Sequence, residues 1–218
     1  GETTAIIGGT GMGKSTVVNL IPRLYDVTEG QVLVDGVDVR DYDTEVLRNK
    51  IGFVPQKAVL FSGTIDTNIA FGDKNADEDR IEEAVKIAQS YDFIMKKEEG
   101  FRSPISQGGT NVSGGQRQRL AIARAIVRKP EIYVFDDSFS ALDFKTDKAL
   151  RTALAEETDN ATVVIVAQRI STIMDADRII VIEKGEVAGM GTHKELLQSC
   201  DVYKEIVSSQ MSKEDMDK

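Results

Sequence analysis

Gly8-Gly9-Thr10-Gly11-Met12-Gly13-Lys14-Ser15-Thr16 is the stretch that decides the fold. It fits the pattern GxxxxGK(S/T). It follows a short apolar strand predicted over Thr4–Ile7 and opens a helix predicted over Lys14–Tyr25, which Pro22 kinks or ends. Glycines let the backbone curl around a phosphate, because a Cβ would block the approach. The amides of residues 11–16 then point inward, and the helix N-terminus adds positive potential. Lys14 would bridge the β- and γ-phosphates of a nucleotide, and the Ser15 hydroxyl would sit on Mg2+. Gly8, Gly9, Thr10, Gly11, Met12, Gly13, Lys14, Ser15 and Thr16 are therefore the candidate nucleotide-binding residues.

Outward from this loop, the next informative stretch is Ile132-Tyr133-Val134-Phe135-Asp136-Asp137, an apolar strand ending in two carboxylates. In a buried parallel sheet the C-terminal strand ends open on the ligand crevice. Asp136 there would hold Mg2+ through water, and Asp137 would stand beside the γ-phosphate. Further strands are predicted at Ile51–Val54, Thr162–Val166 and Arg178–Glu183, and a hairpin joins Gln31–Val34 to Val37–Val39 across Asp35-Gly36. Asp43–Lys50 reads as a short helix. Residues 57–129 read as mostly helical, with amphipathic stretches at Ile81–Ser90 and Gly115–Val127, and a last helix is predicted near Lys194–Ser208. The tail from Met211 is polar and expected to fray. Strands alternating with helices imply an α/β fold with a mostly parallel sheet covered on both faces.

Composition bounds the function. The chain has 218 residues, 41% of them apolar, which suits one α/β domain with room for a subdomain. Its net charge of −9 repels a phosphate backbone, so nucleic-acid binding is not expected. Cys200 is the only cysteine, so no internal disulfide can form, which fits a reducing compartment. The longest apolar run, Ala161–Ala167, is strand-sized and far short of the ~18 residues a membrane span needs. Any link to a membrane is therefore expected through another domain or chain.

Asn111-Val112-Ser113-Gly114-Gly115-Gln116-Arg117-Gln118-Arg119 resembles the LSGGQ signature of ABC ATPases, with Val112 in place of Leu. Phe53-Val54-Pro55-Gln56 resembles that family's Q-loop, Ser140-Ala141-Leu142-Asp143 its D-loop, and Gly191-Thr192-His193-Lys194-Glu195-Leu196 its closing segment. The resemblance implies a P-loop NTPase of ABC type: one domain over residues 1–218, with a RecA-like core from 1–56 and 130–218 and a helical subdomain at 57–129 that carries the signature. It implies Mg-ATP as cofactor and substrate, with Ser15, Gln56 and Asp136 on the metal and Ser113, Gly114, Gly115 and Gln116 on the nucleotide. It also implies a head-to-tail dimer with a second ABC ATP-binding domain, each phosphate loop facing the other chain's signature. Ser113 and the Gly114–Gly115 amides head a helix, a second anion site that one chain cannot fold back onto its own loop. The run Leu60-Phe61-Ser62-Gly63-Thr64-Ile65 resembles exporters, and the nearest likeness is the degenerate subunit of heterodimeric bacterial multidrug exporters. That places the domain at the cytoplasmic face of the cell membrane, with a transmembrane domain on the same polypeptide. The family's adenine-stacking aromatic, the first strands and the membrane helices are expected upstream of Gly1, so the chain reads as part of a longer protein.

The sequence departs from the family at three points. Members that hydrolyse ATP well carry Glu where this chain has Asp137, one methylene shorter, and His where it has Gln168. Gln56, Asp137 and Gln168 are the candidate catalytic residues, and the two replacements imply retained binding with weakened chemistry. A positioned general base contributes typically ~10²–10⁴-fold. Ser106-Gln107-Gly108-Gly109 stands where exporters often show a Gly-Glu-Arg-Gly-like run. His193, the sole histidine, reads as a structural residue at a helix start, and Arg117, Arg119, Arg124 and Arg128 as packed or solvated arginines or as interface contacts. Two other readings compete: a self-sufficient homodimeric exporter in which Asp137 suffices, and a soluble ABC clamp of DNA repair or translation. The repair clamp needs a coiled-coil insertion that Gln56–Ser113 does not show.

Overall fold

The computed structural model describes residues 1–210, so the tail from Met211 lies outside the described residues. In chain order, β1 (Thr3–Gly8) runs into the glycine loop and α1 (Lys14–Leu20). A hairpin of β2 (Leu33–Val34) and β3 (Val37–Asp38) precedes α2 (Thr44–Asn49) and β4 (Ile51–Val54). Asp35 and Gly36 both take positive φ, 51° and 78°, as a tight two-residue hairpin requires. The Asp43 carboxylate caps α2 by accepting from Glu45 N–H and Val46 N–H.

The next part holds β5 (Gly63–Thr64), α3 (Ile65–Ala70), α4 (Glu78–Ile87), α5 (Tyr91–Met95), β6 (Pro104–Ile105) and α6 (Gly114–Ile126). Then come β7 (Ile132–Asp136), α7 (Phe144–Glu157), β8 (Thr162–Val166), α8 (Ile170–Ile173), β9 (Arg178–Glu183), β10 (Glu186–Gly191), α9 (His193–Ser199) and α10 (Asp201–Gln210).

The sheet order is β10-β9-β1-β8-β7-β4. Every neighbouring pair is parallel except β10–β9, so the fold is α/β with a mostly parallel sheet. Alternation along the strands divides the core. On β1, Ala5 and Ile7 pack with the cluster that contains the long helices, while Ile6 faces Val18, Val34 and Leu47. On β7, Tyr133 and Phe135 take the first side and Val134 the second. A sheet buried on both faces needs such strands apolar throughout.

Two sequence expectations are corrected. The first helix ends at Leu20 rather than Tyr25: Pro22 has no N–H to continue it, and Arg23 turns to φ 51°. The last helix is two, because Cys200 adopts an extended φ −123°, ψ 105° between α9 and α10. The mostly helical stretch 57–129 also holds one short antiparallel pair, β5 with β6.

The four arginines near the signature are anchored by carbonyls. Arg124 ties α6 to α3: its guanidinium donates to Asn68 O (2.8 Å) and Val59 O (2.9 Å) and lies over the Phe61 ring at 5.0 Å. Burial pulls its pKa down to about 10. Arg117 donates to Gly108 O, Arg119 to Gln89 O, and Arg128 to Arg48 O. His193 shares a 2.7 Å hydrogen bond through Nδ1 with the buried Tyr203 hydroxyl, and burial holds its pKa below the usual value.

The glycine at the end of β1 is required by packing. A Cβ on Gly8 would lie 2.1 Å from the Ile182 carbonyl oxygen, the register partner across the β1–β9 ladder. Gly8→Ala is expected to cost about 3 kcal/mol, the upper range for forced overpacking. A urea melt of the chain reads it, and an unchanged midpoint would refute this account of Gly8.

Candidate active site

Because β1, β4, β7 and β8 run parallel, their C-terminal ends share one edge of the sheet. The register levels them: Ile6 and Asp136 both pair with Val166, and Val54 pairs with Phe135. Each chain segment then leaves the sheet carrying a polar side chain. β1 leads to the glycine loop, β4 to Gln56, β7 to Asp136 and Asp137, and β8 to Gln168. These segments meet around one cavity of about 230 Å³, lined by residues 10–16, Gln56, Asp136, Asp137, Val166 and Gln168.

Gly13, at φ 91°, makes the left-handed turn into α1 that a residue with a Cβ adopts only at a cost. Lys14 is buried, and its ammonium donates to the carbonyls of Gly8 (2.8 Å) and Gly9 (2.7 Å). The Ser15 hydroxyl donates to Asp136 Oδ1 at 2.9 Å. Asp137 N–H donates to Val166 O, and its backbone sits at φ 46°, a conformation that Asp tolerates better than most residues. Its Oδ2 accepts from Gln56 Nε2 at 3.0 Å and from Gln168 Nε2 at 2.6 Å.

Burial is the largest influence on both charged partners. It lowers the Lys14 pKa, against the pull of Asp137 and Asp136, and it raises that of Asp136, with the Asp137 carboxylate adding to the rise and the Ser15 hydrogen bond opposing it. Two carboxylates thus face one ammonium in a partly desolvated cleft, a charge balance that favours a divalent cation. Among the described residues no group of three or more His, Cys, Asp or Glu side chains could cage a metal ion. The donor set is instead the kind Mg2+ takes beside phosphates: one or two oxygen ligands from protein, with the rest from nucleotide and water. Ser15, Gln56 and Asp136 would be the residues that hold it, Asp136 through water, and the residues present fit Mg-ATP.

Ser113 and Gln116 lie elsewhere. Ser113 Oγ accepts from Gln116 N–H (3.2 Å) and Ser113 N–H donates to Gln116 Oε1 (3.0 Å), a capping box at the head of α6. None of residues 113–116 lines the Lys14 cavity. The glutamine amides converging on Asp137 could not be read from sequence, because they depend on sheet register. Gln210, which touches the Gln168 segment, carries no sequence signal.

A family model described as "ABC transporter" matches residues 1–140. The chain is 51% identical over 213 residues to an uncharacterized ABC transporter ATP-binding protein of Mycobacterium tuberculosis, covering 96% of this chain and 36% of that protein. It is 44% identical over 210 residues to a putative multidrug export ATP-binding/permease protein of Staphylococcus aureus, covering 96% and 36%. The solved structure of a bacterial Atm1-family ABC exporter with ATP bound superposes with a TM-score of 0.94 at 38% identity, over 97% of this chain and 37% of that one. The chain spans little more than a third of the length of these relatives.

Proposed function

The chain belongs to the ABC transporter family, and from that premise we propose that it is the ATP-binding domain of an exporter whose own nucleotide site binds Mg-ATP but hydrolyses it weakly. One observation carries the second half of that reading. Asp137 Oδ2 accepts from two neutral amides, those of Gln56 and Gln168. In hydrolysis a water attacks the γ-phosphorus, the bond to the β–γ bridging oxygen breaks, and the water's proton needs an acceptor. Asp137 is the carboxylate at hand, but it is short, and its Oδ2 is engaged by two donors. Gln168 keeps a second amide hydrogen for a phosphate oxygen but has no protonatable ring. Held by Ser15 and Asp136, Mg2+ would neutralise charge that develops on the transferring phosphate.

The same reading assigns residues 1–56 and 130 onward to a RecA-like core and 57–129 to a helical subdomain. The signature at Ser113–Gln116 serves the site of a second ABC ATP-binding domain, on a different chain. The Staphylococcus aureus relative, a putative ATP-binding/permease protein, supports a transmembrane domain on the same polypeptide and a place at the cytoplasmic membrane face. No helix among the described residues is long and apolar enough to cross a membrane.

The test uses the full-length transporter with the partner's catalytic glutamate removed. ATP should bind this chain's site, Lys14→Ala should weaken that binding by at least about tenfold, as the loss of a charge-assisted phosphate contact gives, and phosphate release should stay near background. Vigorous release above the Lys14→Ala control would contradict weak hydrolysis. Unchanged binding in Lys14→Ala would sink the site assignment.

A further inference from the structure

Gln168 reaches Asp137 from a segment with few supports of its own. β8 ends at Val166, Ala167 N–H donates to Ile6 O at 3.1 Å, and α8 begins at Ile170 without a side-chain cap. The backbone between is held by a residue distant in sequence. Gln210 Oε1 accepts from Ile170 N–H at 2.9 Å, and Gln210 Nε2 donates to the Gln168 carbonyl at 2.7 Å. One planar amide therefore brackets Gln168–Ile170 as a neighbouring strand would, satisfying the first N–H of α8.

The placement of Gln210 follows from α10. Tyr203, Val207 and Gln210 stand at i, i+4 and i+7, one face of a helix. Tyr203 and Val207 are fully buried in the main core. Their burial fixes the rotation of α10, and that rotation turns Gln210 back onto the segment after β8. From Gln168 the chain of contacts continues to Asp137 at 2.6 Å and, through the same oxygen, to Gln56 at 3.0 Å.

We propose that Gln210 is a positioning residue for the phosphate site: it sets the backbone of Gln168–Ile170, and so the Gln168 amide, letting α10 tune how this site tells ATP from ADP. The inference rests on the reading of the cavity as an ATP site. Gln168 faces the γ-phosphate in that reading, whereas ADP has none, so a displaced Gln168 costs affinity for ATP alone.

The experiment takes the full-length transporter with the partner's phosphate-loop lysine replaced, so that only this chain's site binds nucleotide. Gln210→Met keeps the side-chain length and removes both polar contacts. ATP affinity should fall about fivefold to tenfold, the change that one net hydrogen bond gives, while ADP affinity stays within about twofold. In a Gln168→Ala background, Gln210→Met should leave the ATP-to-ADP ratio unmoved, because the two residues act in series. Equal loss of ATP and ADP affinity, an unmoved ratio in Gln210→Met alone, or an additive double mutant would each overturn the proposal. A Lys14→Ala control separates the failures. If it does not weaken ATP binding, the site reading falls and this inference with it. If it does, and Gln210→Met changes nothing, only the role of Gln210 falls.

Discussion

Ser113→Arg in the assembled transporter is expected to lower steady-state ATPase activity by about 10²-fold or more, while Asp137→Ala leaves much of it. The loss matches what removing a preorganised donor to the transferring group costs, ~10²–10³-fold. The ranking follows from where the two residues stand. Asp137 lines the Lys14 cavity, whereas residues 113–116 do not. Ser113 heads a thirteen-residue helix whose next two residues are glycines, so the first amides are not screened by side chains. In the proposed reading those groups meet an anion brought by another domain. A purely structural role predicts something else. Losing the Ser113–Gln116 cap would cost ~1 kcal/mol of stability and about tenfold at most in any linked equilibrium. Ser113→Asp separates the two, since aspartate caps as well as serine but sets a carboxylate against the phosphate. Normal stability with lost turnover supports the partner-site role; normal turnover in Ser113→Asp refutes it. The reverse ranking, with Asp137→Ala the worse variant, would favour a self-sufficient homodimer.

The sheet was legible because its strands are apolar on both faces: Thr162–Val166 is β-branched throughout, and Arg178–Glu183 encloses a β-branched run. The hairpin at Asp35-Gly36 was legible because a two-residue turn demands positive φ. β10 was not predicted: Glu186–Gly191 is mostly exposed and carries two glycines, and it exists by pairing with β9. A signal was present in Lys184-Gly185, which repeats the positive-φ pair of the first hairpin at 51° and 83°. The break at Cys200 had no such signal, being marked by neither Gly nor Pro. The family resemblance named Gln56, Asp137 and Gln168 separately. Their hydrogen bonding depends on three parallel strands ending level, which no local pattern encodes. Gln210 was unreadable for a related reason, since an exposed glutamine near a helix end is ordinary until the helix is docked.

Asp137→Glu combined with Gln168→His is expected to raise hydrolysis at this chain's own site by about 10²-fold, within the range for placing a general base. The geometry sets the argument. Asp137 Oδ2 is engaged by Gln56 at 3.0 Å and Gln168 at 2.6 Å, so lengthening the side chain alone leaves a carboxylate still held by two amides. Replacing Gln168 alone frees one contact but leaves the carboxylate short. Together, Glu carries the acid past the amide of Gln56 toward the water, and His supplies a ring donor to the charge that develops on the γ-phosphate. Positioning dominates phosphoryl transfer, so shifts of one methylene count. The gain should exceed the product of the single effects, because both residues act on one transition state. The backbone opposes the change slightly: position 137 sits at φ 46°, which Asp accepts more readily than Glu. A thermal melt of the double mutant shows whether that strain has displaced the turn. The assay first silences the partner's site by removing its glutamate, then measures residual turnover in the parent, the two single mutants and the double mutant, with bound ATP measured alongside. Turnover that stays flat while ATP remains bound would show that Asp137 and Gln168 do not limit the chemistry. The limit would then lie in the signature that the partner presents to this site.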